Sequence, residues 1–174
     1  IGFDTGFYTH DLTDSKYSDR LLNEQHYGDL RTFPSKILDN VNVVVHLAAI
    51  SNDPMGKEYE AITEAINEEA SKNFALECKL RGVTKFVFAS SCSVYGFSEN
   101  GEPLSELSPV NPLTAYAKSK LAMEEYLESI SSNGFQTASL RFATACGMSD
   151  RLRLDLVLND FVLSSVFFGI IKIM

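Results

Sequence analysis

Three cysteines in 174 residues, Cys78, Cys92 and Cys146, stand far apart with no Cys-x-x-Cys among them, and His10, His26 and His46 follow no ligand spacing. Neither a disulfide framework nor a zinc site is indicated, and no metal is expected; the cytoplasm is the default compartment. The chain also has no cluster of Lys or Arg. Its 15 basic against 23 acidic residues leave a formal charge of -8, which argues against nucleic acid and anionic membrane as partners. No apolar run is long and unbroken enough to span a bilayer, no basic segment followed by an apolar run opens the chain, and no internal repeat or low-complexity tract is present. What is there is 45% apolar and 22% charged residues, an ordinary balance for one globular domain with a proper core, and a small molecule is the expected ligand. The chain opens without Met inside an apolar segment and stops at GIIKIM, which reads as the start of a strand, so a piece of a longer protein is expected.

Taken in order, IGFDTGFY reads as the end of a strand with Asp4 at its carboxyl end, before a turn at Thr5 and Gly6. A polar stretch from His10 to Glu24 follows, with a helical turn around Arg20 to Asn23; QHYGDLRTF then carries Asp29 and Leu30, and Pro34 to Asp39 forms a short helix. Val41 to Ala49 is an almost unbroken β-branched run, the pattern of a strand covered on both faces in the middle of a sheet. Ala48 and Ala49 at its end are small enough for a ligand to approach the backbone, SNDP supplies loop and helix-start residues, and His46 reads as a hydrogen-bonded core residue. From Tyr59 to Arg81 the apolar stripe Ile62, Ala65, Ile66, Ala70, Phe74 and Leu80 predicts a helix ended by Gly82, with Asn67 beside the stripe. KFVFASS repeats the buried-strand pattern, and strand, long helix, strand is a right-handed crossover, so the sheet is parallel and the class is α/β. A second helix runs from near Pro112 to before Gly134, FQTASLRFATACG gives the next strand and loop, and Arg151 to Phe168 is apolar on helical spacing.

The chemistry-bearing stretch is Lys85 to Lys120. It ends a strand in a serine cluster and then places Tyr116 and Lys120 four residues apart, on one face of a helix. A phenol is a poor base at neutral pH, and a fixed positive charge beside it favours the phenolate. Such a base suits removal of a hydroxyl proton while hydride leaves the same carbon. The four-residue spacing by itself is a weak signal, so the surrounding motifs decide.

SSCSVYG at 90 to 96, YAKSK at 116 to 120, HLAA at 46 to 49, Asp4, the INEEA helix and LRFATACG followed by RLRLDLVLND together resemble, in order and spacing, the NAD-dependent epimerase/dehydratase family of the extended short-chain dehydrogenase/reductases, enzymes of nucleotide sugars. The resemblance implies a Rossmann-like doubly wound parallel sheet and NAD as cofactor. It assigns Tyr116 as the base or acid on a sugar hydroxyl, Lys120 as the group that lowers its pKa and binds the nicotinamide ribose, and Ser91 as a hydrogen-bonding partner of the same hydroxyl. It further implies that Asp4 holds the adenosine ribose, Asp29 and Leu30 the adenine, and Ala48 and Ala49 the central part of the cofactor. Asn67 falls at a position supporting the cofactor, Asn159 at one that contacts the diphosphate of the nucleotide sugar, and Thr144 where many members have an Asn contacting substrate. Cys92 and Ser93 stand where dehydratases carry an Asp-Glu pair, which disfavours water loss and leaves epimerisation as the expected reaction. Reduction of a nucleotide sugar or small carbonyl is the alternative within enzymes, and a non-catalytic NAD-binding regulator the alternative outside them. The family's first strand and glycine-rich phosphate turn have no counterpart among the 174 residues, and most of its C-terminal substrate domain is missing. Residues 1–150 are accordingly expected to form part of the NAD-binding domain and 151–174 the start of the substrate-binding region. The piece is expected to be inactive by itself, and its parent to be a homodimer.

Overall fold

The computed structural model describes residues 1–7, 21–51, 60–98, 101–149 and 152–173, so His10, Arg20, Tyr59 and Arg151, and most of SNDP, lie outside the described residues. Two compact units are present, one of Ile1–Gly28 with Thr144–Met174 and one of Asp29–Ala143.

In the first unit, β1 (Gly2–Asp4) pairs in parallel with β2 (Gln25–Tyr27), Phe3 facing His26 across the ladder. Asp4 sits at the carboxyl end of β1 as the sequence suggests. The same unit holds α4 (Val157–Phe168), closed by Gly169 in the left-handed conformation.

The second unit carries a three-stranded parallel sheet in the order β3 (Val43–His46), β4 (Lys85–Ser91), β5 (Gln136–Phe142). The described part of the crossover from β3 to β4 includes one continuous helical stretch: α1 (Glu60–Glu64), a π-helical segment (Ala65–Ala70) and α2 (Ser71–Leu80). Between β4 and β5 runs α3 (Ala115–Ile130), capped by the Thr114 hydroxyl on Ala117 N. These helices pack on one face of the sheet, where β4 alternates so that Phe86, Phe88 and Ser90 are buried under them. The core joins Phe86 and Phe88 to Ala75, Cys78, Met123, Leu127 and Phe135, each large apolar side chain stabilising the unit by about 1.5–3 kcal/mol.

Two expectations are corrected here. The buried face of the crossover helix is Thr63, Asn67, Ala70, Ser71, Ala75 and Cys78, while Ile62 and Leu80 of the expected stripe are exposed. Small side chains bring this helix close to α3, and the π-segment adds a residue to one turn, so a regular 3.6-residue stripe does not track the buried face. The strand expected over Val41 to Ala49 is shorter, lies at the edge of its sheet, and leaves Val43, Val45 and Leu47 exposed on one face. No helix among the described residues is long and apolar enough to cross a membrane.

Candidate functional site

In a parallel sheet the loops that leave the carboxyl ends of the strands form the ligand-binding edge. At that edge β3 ends in His46 and continues into Ala48 and Ala49, while β4 ends in Ser91. Ala48 is exposed and Ala49 half-buried. Ser91 caps the 3-10 turn Cys92–Tyr95, its Oγ accepting from Ser93 N at 3.2 Å and from Ser93 Oγ at 2.9 Å. Both contacts use its lone pairs, leaving the hydroxyl proton to donate elsewhere. The turn closes on Gly96, whose φ of 70° favours glycine and whose Cβ, if it had one, would overlap the Asn111 carbonyl oxygen; Asn111 N in return donates to Val94 O at 2.9 Å. The serine cluster is thereby fastened to the segment that leads into α3.

Helix α3 presents Tyr116 and Lys120 on one face, with the Lys120 Nζ 5.4 Å from the centre of the Tyr116 ring. Lys120 is buried, lies 4.7 Å over the Phe88 ring and donates to Ala89 O at 2.7 Å. Burial pushes its pKa down to about 8. Tyr116 is half-buried.

Two buried polar side chains shape the loop after β3. Asn67, in the π-segment, accepts from Ile50 N at 2.8 Å and donates to Ile50 O at 2.9 Å, so one side-chain amide holds both backbone polar groups of a loop residue. His46 Nε2 lies 2.9 Å from Ser71 Oγ, which itself donates to Ile66 O at 3.1 Å. The serine proton is committed to the carbonyl, which makes His46 Nε2 the donor and fixes the neutral tautomer. Burial foremost, with the Lys120 charge second, pushes the His46 pKa down to about 4. Replacing Asn67 by Leu should cost about 2 kcal/mol, because two partly buried backbone groups lose their partner. Urea denaturation measures the loss, and faster hydrogen exchange at the Ile50 amide locates it; unchanged values would show that the clasp does not hold the loop.

The remaining expected site residues are placed as follows. Asp29 caps the 3-10 turn Leu30–Thr32 and is gripped by Arg31, with Nη2 to Oδ2 at 2.6 Å and Nε to Oδ1 at 3.0 Å. Those bonds hold its carboxyl down to about 2. Asp4, in the other unit, is exposed and accepts from Gly6 N at 2.6 Å, as a turn aspartate does. Asn159 in α4 accepts from Gly147 N at 2.9 Å and donates to Arg153 O at 2.7 Å, so it ties down the segment after β5, in which Thr144 is exposed. Eight of the expected residues thus belong to the Asp29–Ala143 unit, and Asp4, Thr144 and Asn159 to the other.

A charged pair that the sequence motifs did not single out lies against Ser90 of the serine cluster. Glu124 accepts from Ser90 Oγ and is held by Arg141, whose Nη2 lies 2.7 Å from Oε2 and whose Nε lies 3.1 Å from both carboxylate oxygens. The signals were present: Glu124 continues the four-residue spacing of Tyr116 and Lys120, and Arg141 is a charge inside a strand-like run.

The family model of the NAD dependent epimerase/dehydratase family matches residues 6–163. The chain belongs to this family. It is 32% identical over 123 residues to an uncharacterized UDP-glucose epimerase of Bacillus subtilis, covering 67% of this chain and 37% of that one. It is 34% identical over 110 residues to a putative UDP-glucose 4-epimerase of Methanocaldococcus jannaschii, covering 62% and 36%. Among solved structures, the UDP-N-acetylglucosamine 4-epimerase of Methanobrevibacter ruminantium in complex with UDP-N-acetylmuramic acid superposes with a TM-score of 0.73 at 28% identity, covering 89% of this chain and 53% of that one. The UDP-glucuronic acid 4-epimerase of Bacillus cereus in complex with NAD gives 0.71 at 26% identity, covering 84% and 47%. The matched stretch therefore spans little more than a third of these two curated relatives.

Proposed function

We propose that the full-length protein is an NAD-dependent epimerase of nucleotide sugars, UDP-sugars first among them, working through a transient keto sugar. The observation that carries this is the buried Lys120 ammonium set against the Tyr116 ring at the carboxyl edge of a parallel sheet, with Ser91 at the end of the neighbouring strand. The donor set fits a dinucleotide: a buried cation for ribose hydroxyls, and alanines after β3 where a cofactor would need close approach. When bound, nicotinamide supplies the acceptor for hydride and, on return, its donor. Lys120 binds the ribose and favours the phenolate of Tyr116. Tyr116 removes the proton of the sugar hydroxyl and returns it once the sugar has presented its other face. Ser91 donates its free proton to the same hydroxyl oxygen and keeps it in reach.

Asp4, Asp29 and Leu30 serve the adenosine end, Ala48, Ala49 and Asn67 the middle of the cofactor, and Thr144 and Asn159 the nucleotide sugar. Asp29 reaches adenine only by sharing its carboxylate with Arg31. Residues 1–150 contribute to the cofactor domain and 151–174 to the substrate region of a cytoplasmic homodimer. The segment Ser91 to Ser93 holds no carboxylate, which supports epimerisation over dehydration. The 174 residues contain no glycine-rich phosphate turn, and by themselves are expected to turn over no nucleotide sugar.

The test is to assay the purified full-length protein for NAD retained without addition and for interconversion of UDP-, GDP- and dTDP-sugars. Retained NAD with epimerised UDP-sugar is the expected result. Stoichiometric consumption of added cofactor would replace this reading by a reductase, and binding without turnover by a regulator.

A further inference from the structure

We infer that Ser90, Glu124, Arg141 and Tyr95 form a brace that sets the height of Tyr116 relative to Ser91, with Glu124 and Arg141 acting as positioning residues. The inference rests on the proposed reaction, in which Ser91 and Tyr116 share one substrate hydroxyl. Side chains alternate in burial along β4, so Ser90 is buried under the helices, while Ser91, the next residue, is half-buried and caps the turn Cys92–Tyr95. Ser90 is paired in register with Arg141 of β5, and both reach Glu124 of α3. A single carboxylate therefore joins the end of β4, the end of β5 and the helix that carries Tyr116 and Lys120. The Arg141 guanidinium also lies 4.9 Å over the ring of Tyr95, the last residue of the turn that Ser91 begins. A fork-shaped pair of this kind fixes direction as well as distance.

The cost of the arrangement argues for positioning over stability. Only 19% of the Arg141 side chain and 11% of that of Glu124 are exposed, and Arg141 Nη1 is buried with no hydrogen-bond partner among the described residues. Buried ion pairs are weak stabilisers, and apolar side chains of similar volume commonly do as well or better. A pair so nearly buried is a poor choice for holding a core together. It is a good one for holding three elements at a fixed offset beneath a reacting pair.

The experiment separates stability from turnover in the full-length protein. The double variant Glu124→Met with Arg141→Met should keep the wild-type melting temperature or exceed it. Its kcat should fall at least about 10-fold, within the 10²-fold that a 1 Å misplacement can cost, with KM changed by less than about 3-fold. A kcat within about twofold of wild type would overturn the proposal. Should the double variant not fold, Glu124→Gln decides: it keeps the size and the Ser90 contact and loses the charge pair. Hydrogen exchange at the Ser93 and Gly96 amides, which are held by Ser91 Oγ and Ser93 O, should quicken about 10-fold while the middle of α3 is unchanged. Unchanged exchange at those two amides overturns the brace. This arm needs no substrate, so a wild-type protein that turns over no nucleotide sugar would sink the proposed reaction and leave the brace to be judged by exchange.

Discussion

Tyr116→Phe in the full-length protein is expected to lower turnover of its nucleotide sugar by about 10³-fold, the middle-to-upper range for loss of a positioned acid or base. The change removes one oxygen. The ring that lies 5.4 Å from the Lys120 ammonium stays, α3 keeps its Thr114 cap, and the buried neighbours Ala117 and Lys120 are untouched. Binding of NAD, which in the proposed mechanism draws on Lys120, on Asp4 at the end of β1 and on the loops after β2 and β3, should therefore be preserved. The measurement is paired: initial rates of sugar interconversion, and NAD content after gel filtration. Loss of rate with NAD retained places Tyr116 in the chemical step. Wild-type rates in the variant would remove it, and loss of NAD together with rate would mean that the phenol acts by holding the cofactor. If Ser91 donates to the same hydroxyl, Ser91→Ala should cost less, because the base survives and only its alignment suffers.

The sequence made some of this legible because the information is local. Helical spacing alone puts Tyr116 and Lys120 on one face, and the apolar runs at Val41 and Lys85, with a long helix between them, dictate a parallel crossover. What it hid depends on distant partners. Arg31 lies two residues from Asp29, yet only the folded turn shows it gripping the carboxylate expected to meet adenine. Asn67 was legible as a polar residue by an apolar stripe, but its two bonds to Ile50 depend on where the loop after β3 passes. The π-segment is invisible to a fixed period, and it sits beside the buried Ser71 that fixes the tautomer of His46. Arg141 and Glu124 are 17 residues apart in the chain and meet only because β5 pairs with β4 in the register that sets Arg141 opposite Ser90.

Lys120→Met should move stability and activity in opposite directions. Lys120 is 3% exposed, and burial holds its pKa at about 8 against the 10.5 of an ordinary lysine. With the folded value below the unfolded one, the unfolded chain binds more protons between these limits. Stability therefore rises with pH from about 8 to 10.5, and below 8 the full penalty is present. A depression of this size is worth on the order of 3 kcal/mol. Methionine fills a similar volume without the charge. It forfeits the bond to Ala89 O and the contact with Phe88, together roughly 1–2 kcal/mol. At neutral pH the variant should thus match the wild type or exceed it by about 1–2 kcal/mol, and its stability should lose the rise that the wild type shows above pH 8. Turnover should fall by at least about 10²-fold, because the phenolate of Tyr116 loses the charge that favours it and the ribose loses its donor. Denaturant unfolding from pH 7 to 10.5 and steady-state rates measure both halves. A variant with wild-type rates, or one that keeps the wild-type rise in stability above pH 8, would show that the buried charge of Lys120 has neither the cost nor the function assigned to it.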